Sequence, residues 1–198
     1  FLLLDEPMAG MSLQESAALV ALLQRLKRRY TLLLVEHDMN AVFALADRIS
    51  VLVYGQLLVT GTPAEIRANA GAGHLPGRRG VDSPMTTLLS VAGLQGGYGS
   101  AQVLFGVDFE VGEGEVITLL GRNGMGRSTT IKCLFGLLPI RQGSVAWRGS
   151  PLQGLPPHRI ARQGLALVPE GRQIFPNLTV EENLVATARS APDARLAP

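Results

Sequence analysis

Gly121-Arg122-Asn123-Gly124-Met125-Gly126-Arg127-Ser128 follows an apolar run at 116–120 and opens a helical pattern. Glycines at this spacing let the backbone curl until successive N–H groups converge on one anion, and the start of the following helix adds a favourable dipole. Ser128, with Thr129 behind it, stands where a hydroxyl binds Mg²⁺ in a phosphate-binding loop. Such a loop carries Lys where this chain has Arg127, which keeps the charge but is planar and bulkier. The plainer alternative is a glycine turn joining a strand to a helix.

Two further groups have types and positions that suit chemistry. Asp5 and Glu6 close the apolar run that begins at Phe1. A carboxylate at the end of a buried parallel strand can hold Mg²⁺ or its water, and an adjacent one can activate water. His37 ends a second apolar run, in Val35-Glu36-His37-Asp38, and belongs at the same end of a neighbouring strand. Taken singly, each has a plain reading: an acidic turn for Asp5 and Glu6, a structural imidazole for His37.

The elements that must position these residues alternate between strand and helix patterns, which implies an α/β fold. The unbroken apolar run at 1–4, ending in Asp5, and a second run at 31–35 suit strands buried on both faces. Ser12 to Glu15 reads as a capping box before a helix with Leu19, Leu22, Leu23 and Leu26 on one stripe. A helix follows near 39–46, then strands at 49–54 and 57–60 around Gly55-Gln56, and a second capping box at Thr62-Pro63-Ala64-Glu65. Between 70 and 84 the periodicity gives way to Gly, Pro, Arg and His, the composition of a linker. Beyond it, strands are predicted near 87–92, 103–110, 115–120, 144–147 and 164–168, and a helix at 128–137. Thr179-Val180-Glu181-Glu182 is a third capping box.

Composition narrows the function classes. The chain has 198 residues, 46% of them hydrophobic, enough for a substantial core and against global disorder. No apolar run approaches the roughly 20 residues of a membrane helix, and the opening at Phe1 carries no secretory pattern. The single cysteine, Cys133, excludes an internal disulfide and a multi-cysteine metal site. A net charge of +2 with scattered basic residues gives no nucleic-acid stripe.

Together the motifs resemble those of ABC transporter ATPases. Asp5-Glu6-Pro7 resembles the Walker B end, Ala9-Gly10-Met11-Ser12 the D-loop, and His37 the switch histidine. Tyr98, in Gly96-Gly97-Tyr98-Gly99, resembles the aromatic residue that stacks on adenine. Val168-Pro169-Glu170-Gly171-Arg172 resembles the Q-loop, with Glu170 at the usual Gln position, and the match continues over 175–184. The wording is most similar to branched-chain amino-acid importer ATPases, in Val35-Glu36-His37-Asp38-Met39, in 42–49 and in 121–126.

The resemblance implies a P-loop NTPase core, a parallel sheet plus an antiparallel portion, with strands ordered 49–54, 115–120, 31–36, 1–5, 164–168. It implies ATP and Mg²⁺ as ligands. Tyr98, Gly121, Asn123, Gly124, Gly126, Arg127, Ser128 and Thr129 would bind the nucleotide, and Ser128, Asp5 and Glu170 the metal. Glu6 would polarise the attacking water and His37 would sense the γ-phosphate. The implied partners are integral membrane permease subunits, a sister ATPase subunit and, indirectly, a periplasmic substrate-binding protein, at the cytoplasmic face of the inner membrane. No nucleic acid is implied.

The order of motifs departs from the family. Asp5-Glu6 precedes the glycine loop, and no Leu-Ser-Gly-Gly-Gln-like signature occurs. Residues 1–69 therefore read as the C-terminal part of one ATPase domain, 70–84 as a linker, and 85–198 as the N-terminal part of a second. Three functions stay open: an importer's ATP-binding component, a nucleotide-binding module without turnover, and a module that engages the permease in place of intact subunits. Urea and amides stand beside branched-chain amino acids as transported substrates.

Overall fold

The computed structural model describes residues 1–27, 29–70, 86–171 and 173–187. The linker expected at 70–84 lies outside them from residue 71 onward, as does Arg172. The first part of the chain forms β1 (Leu2–Asp5), α1 (Leu13–Leu26), β2 (Leu32–Val35), α2 (Met39–Leu45), β3 (Arg48–Val53), β4 (Gln56–Gly61) and α3 (Pro63–Ala70). The second part forms β5 (Thr87–Tyr98), β6 (Ala101–Gly112), β7 (Val116–Leu120), α4 (Arg127–Leu134), β8 (Ile140–Trp147), β9 (Ser150–Pro151), α5 (Pro157–Arg162), β10 (Ala166–Val168) and α6 (Val180–Thr187).

Both parts contribute to one six-stranded sheet, β10-β1-β2-β7-β3-β4, parallel except for the β3–β4 pair. The strand order implied by the resemblance is thus the one observed. β7 lies between β2 and β3, with Leu33 opposite Ile117 and Ile49 opposite Thr118. Without β7, β2 and β3 would each present an open edge.

The unbroken Leu and Val runs have a direct structural cause, since successive side chains of a strand point to opposite faces. Leu3, Leu33, Val35, Ile117 and Leu119 pack on one side into a core with β5, β6, β8 and α4. Leu4, Leu32, Leu34 and Val116 pack on the other against α1 and α2. A second sheet, β6-β5-β8-β9, is antiparallel and covers the first of these faces. Polar contacts across the two chain parts supplement the packing. The Val116 N–H donates to Asp47 Oδ2 at 2.9 Å, the Gly114 N–H to Thr31 Oγ1 at 2.8 Å, and Arg48 Nη2 to Glu115 Oε2 at 3.1 Å.

Several local expectations shift. On α1 only Leu23 is fully buried and Leu22 is exposed, so the apolar stripe is narrower than the leucine spacing predicts. The β3–β4 turn falls on Tyr54-Gly55, both at positive φ, one residue earlier than Gly55-Gln56. β5 and β6 run to 12 residues each instead of breaking after 92 and before 103. Their ladder shifts register several times, and Gly93, at φ 59, sits in one such shift, so the strand bends and resumes. α4 stops at Leu134, short of the expected 137. α5 has no expected counterpart; it is six residues long, opens on Pro156-Pro157 and has no side-chain cap.

Candidate functional site

The site forms at the C-terminal ends of β1, β2 and β7, where open α/β sheets bind ligands. β7 leads into the glycine loop. Gly121, at its base, lies against the carbonyl of Leu52, where a Cβ would be 2.5 Å from that oxygen. Gly126, at φ 99, is the N-cap of α4 and supplies no side-chain cap, so the first-turn amides of α4 face the loop's mouth. Thr130 Oγ1 returns a 2.9 Å hydrogen bond to the Gly126 carbonyl and fixes the loop-to-helix join.

β1 delivers the two acids. Asp5 is buried, and Ser128 Oγ donates to its Oδ1 at 2.9 Å. Burial raises the Asp5 pKa above the usual carboxylate value; the Ser128 hydrogen bond opposes that, Glu170 and Glu6 add to it, and Lys132 opposes it. Glu6 follows at φ 46, a left-handed backbone rare outside glycine, with its N–H on the Val35 carbonyl at 3.0 Å. Glu6 Oε1 accepts from Arg127 Nη2 at 2.6 Å, and the same nitrogen donates to Asn123 Oδ1 at 2.9 Å.

β2 delivers Glu36 and His37. His37 is exposed at the rim, its Nδ1 3.8 Å from Glu6 Oε2. Asp38 next to it caps α2 through the amides of Asn40 and Ala41. Glu36 is 1% exposed and accepts from the Met8 N–H at 3.0 Å and from the His37 N–H at 3.1 Å. It therefore ties the turn after β1 to the loop that carries His37. Sequence reasoning treated Glu36 only as part of a motif. The available signal was an acid directly after a four-residue apolar run, a position where a buried carboxylate must find donors.

Glu6, Tyr98, Val103, Asn123, Gly124, Gly126, Arg127, Ser128, Thr129 and Glu170 line one cleft of about 420 Å³, within the usual range for ligand pockets. Asp5 meets this cleft through Ser128, His37 through Glu6, and Gly121 supports its loop from behind. Tyr98 is partly exposed and its hydroxyl lies 3.3 Å from Lys132 Nζ. Residues from the two parts of the chain are thus brought together by the sheet. Among the described residues no group of three or more His, Cys, Asp or Glu side chains is arranged to hold a metal. The donors beside the cleft are a hydroxyl and carboxylate oxygens, hard ligands of the kind Mg²⁺ takes with water and phosphate.

Comparison with known proteins gives a match to the ABC transporter family over residues 104–197. The branched-chain amino acid transport ATP-binding protein BraG of Pseudomonas aeruginosa is 48% identical over 87 residues, 44% of this chain and 37% of that protein. The probable branched-chain amino acid transport ATP-binding protein LivF of Archaeoglobus fulgidus is 38% identical over 101 residues, 51% of this chain and 43% of that protein. The ribose import ATP-binding protein RbsA 1 of Rubrobacter xylanophilus is 32% identical over 200 residues, 92% of this chain and 38% of that protein. The chain spans less than half the length of each of these relatives. By these matches the chain is similar to the ATP-binding proteins of ABC transporters, with the family match itself lying in the second part of the chain.

Proposed function

We propose that the chain is an ATP-binding portion of an ABC importer, with branched-chain amino acids as the transported class. The observation that carries this reading is the 2.9 Å hydrogen bond between Ser128 and Asp5, which joins the glycine loop to the acid pair across 123 positions of sequence. That junction makes one phosphate site out of two distant motifs. Gly124 and Gly126 present backbone N–H groups to phosphate oxygens, Arg127 supplies positive charge, and Tyr98 offers a ring at the cleft's edge for the base. Ser128, Asp5 and Glu170 would hold Mg²⁺, which when bound neutralises phosphate charge. Glu6 would polarise the attacking water, and His37 stands beside it at the rim.

The amino-acid class is supported by the higher identity to BraG and LivF, against the longer but weaker match to a ribose importer. That longer match also bears on domain organisation. It runs through 92% of the chain in one alignment, so a relative aligns with both parts in the order in which they stand here. This supports residues 1–69 as the end of one ATPase domain and 85–198 as the start of the next. Permease subunits, a sister ATPase subunit and a periplasmic binding protein are the proposed partners, at the cytoplasmic membrane face.

A nucleotide-binding module without turnover is the second reading. Two observations favour it for the chain by itself: Arg127 is held by Glu6, and no signature sequence is present to close the nucleotide from a partner domain. Titration with Mg-ATP alongside steady-state phosphate release separates the readings. Binding with negligible release fits the module, robust release fits an autonomous ATPase, and no binding at millimolar ATP overturns both.

A further inference from the structure

Arg127 and Glu6 are the cation and the carboxylate that the proposed site needs for phosphate and for water, yet each engages the other. Arg127 is 4% exposed and the Glu6 side chain 11%, and their closest atoms are 2.6 Å apart. The contact joins the turn after β1 to the first residue of α4, and the left-handed backbone at Glu6 aims its carboxylate there. The pairing uses only one side of the guanidinium. Nη2 serves both Glu6 and Asn123, while Nη1 is buried and has no partner. A guanidinium binds carboxylate or phosphate best with two parallel N–H donors, so this fork is half engaged, in a side chain that lines the cleft and keeps one donor unmet behind it.

We propose that the Arg127–Glu6 pair is an internal gate on the phosphate end of the cleft. Closed, it neutralises the cation that must meet phosphate and turns Glu6 away from the water position. A triphosphate opens it by offering oxygens to both Nη1 and Nη2, which releases Glu6 toward His37. The proposal rests on the nucleotide-binding reading and adds to it a coupling: whatever weakens the pair strengthens anion binding, and anion binding frees Glu6, by the same factor. Removing one partner of a buried pair leaves the other charge uncompensated, so a guanidinium without Glu6 gains most from an incoming anion.

The test is calorimetric titration of the full chain with a non-hydrolysable ATP analogue at fixed Mg²⁺, which removes turnover from the readout. Four proteins are compared: wild type, Glu6→Gln, Arg127→Lys and the double variant. Glu6→Gln is expected to bind about tenfold tighter than wild type, near the low end of usual coupling factors. The gain should shrink when Arg127→Lys is also present, because the fork that Glu6 occupies is gone. Glu6→Asp tolerates the same left-handed backbone and stretches the pair, so it should tighten binding by an intermediate factor and serves if Glu6→Gln does not fold. Glu6→Gln or Glu6→Asp binding no tighter than wild type, while Arg127→Lys binds, overturns the gate and leaves the nucleotide-binding reading standing. Failure of all variants to bind overturns the nucleotide-binding reading, and the gate with it.

Discussion

Leu33, in the middle of the parallel sheet, has no exposed surface, whereas Leu184 on α6 is 67% exposed. Both lie in segments with clear local signals, an apolar run for β2 and a capping box for α6. The strand β2 is held from outside itself, by β1 on one side and by β7, more than 80 positions away, on the other. The helix α6 is held from within. Thr179 and Glu182 exchange cap hydrogen bonds, and Asn183 Nδ2 donates to the carbonyls of Phe175, Leu178 and Thr179. The first arrangement is cooperative across the chain; the second rests on a few neighbouring bonds around an eight-residue helix, a length that is marginal in water without packing.

The sharpest test of this contrast is a matched pair of truncations. Leu33→Ala should cost about 2–5 kcal/mol and lower the urea midpoint of the whole molecule. Leu184→Ala should stay within about 0.5 kcal/mol. Equal costs would show that α6 is packed as firmly as the sheet.

Glu36→Ala should come next, at about 1–3 kcal/mol, because it leaves the buried Met8 amide and the partly buried His37 amide without an acceptor. Hydrogen exchange is the discriminating measurement, with protection lost at Met8 and His37 before the rest of β1 and β2. Glu36→Gln keeps one acceptor oxygen and should cost less. Thr179→Ala removes a cap and should loosen α6 by about 1 kcal/mol. Its signature is faster exchange over 180–187 with the global urea midpoint unchanged; a drop in that midpoint would mean that α6 supports the core.

The smallest expected effect is a slope. The Asp5 pKa is raised, chiefly by burial, so the native state holds its proton more tightly than the unfolded chain does. Its contribution is fully present below the ordinary carboxylate pKa and is lost as pH rises through the folded value. Asp5→Asn should therefore flatten the decline of stability with rising pH across that window and leave the variant more stable at neutral pH. An unchanged slope in a thermal series at several pH values would count against burial as the dominant influence on Asp5.

Legibility followed the range of the interactions involved. Three capping boxes were readable because donor and acceptor sit three residues apart, and all three form. The buried strands were readable because burial on both faces leaves no polar alternation. The β5–β6 hairpin was cut short because its glycines look like breaks, while the ladder absorbs them as shifts of register. Glu36 was passed over because its two amide partners come from different loops, one of them 28 positions away.

By itself the sequence determined the residue types at the cleft, the strand and helix segments that carry them, and the departure at Arg127. Those follow from local spacing, which persists whatever the chain does elsewhere. Only the tertiary structure decided that β7 enters between β2 and β3, and so that Ser128 meets Asp5 and Arg127 meets Glu6. The physical reason is that a parallel strand pairs through backbone groups common to every residue. What selects β7 for that place is the joint burial of Ile117 and Leu119 with Leu33 and Val35 on one face, and of Val116 with Leu32 and Leu34 on the other. That selection is made by the assembled core and by no single segment.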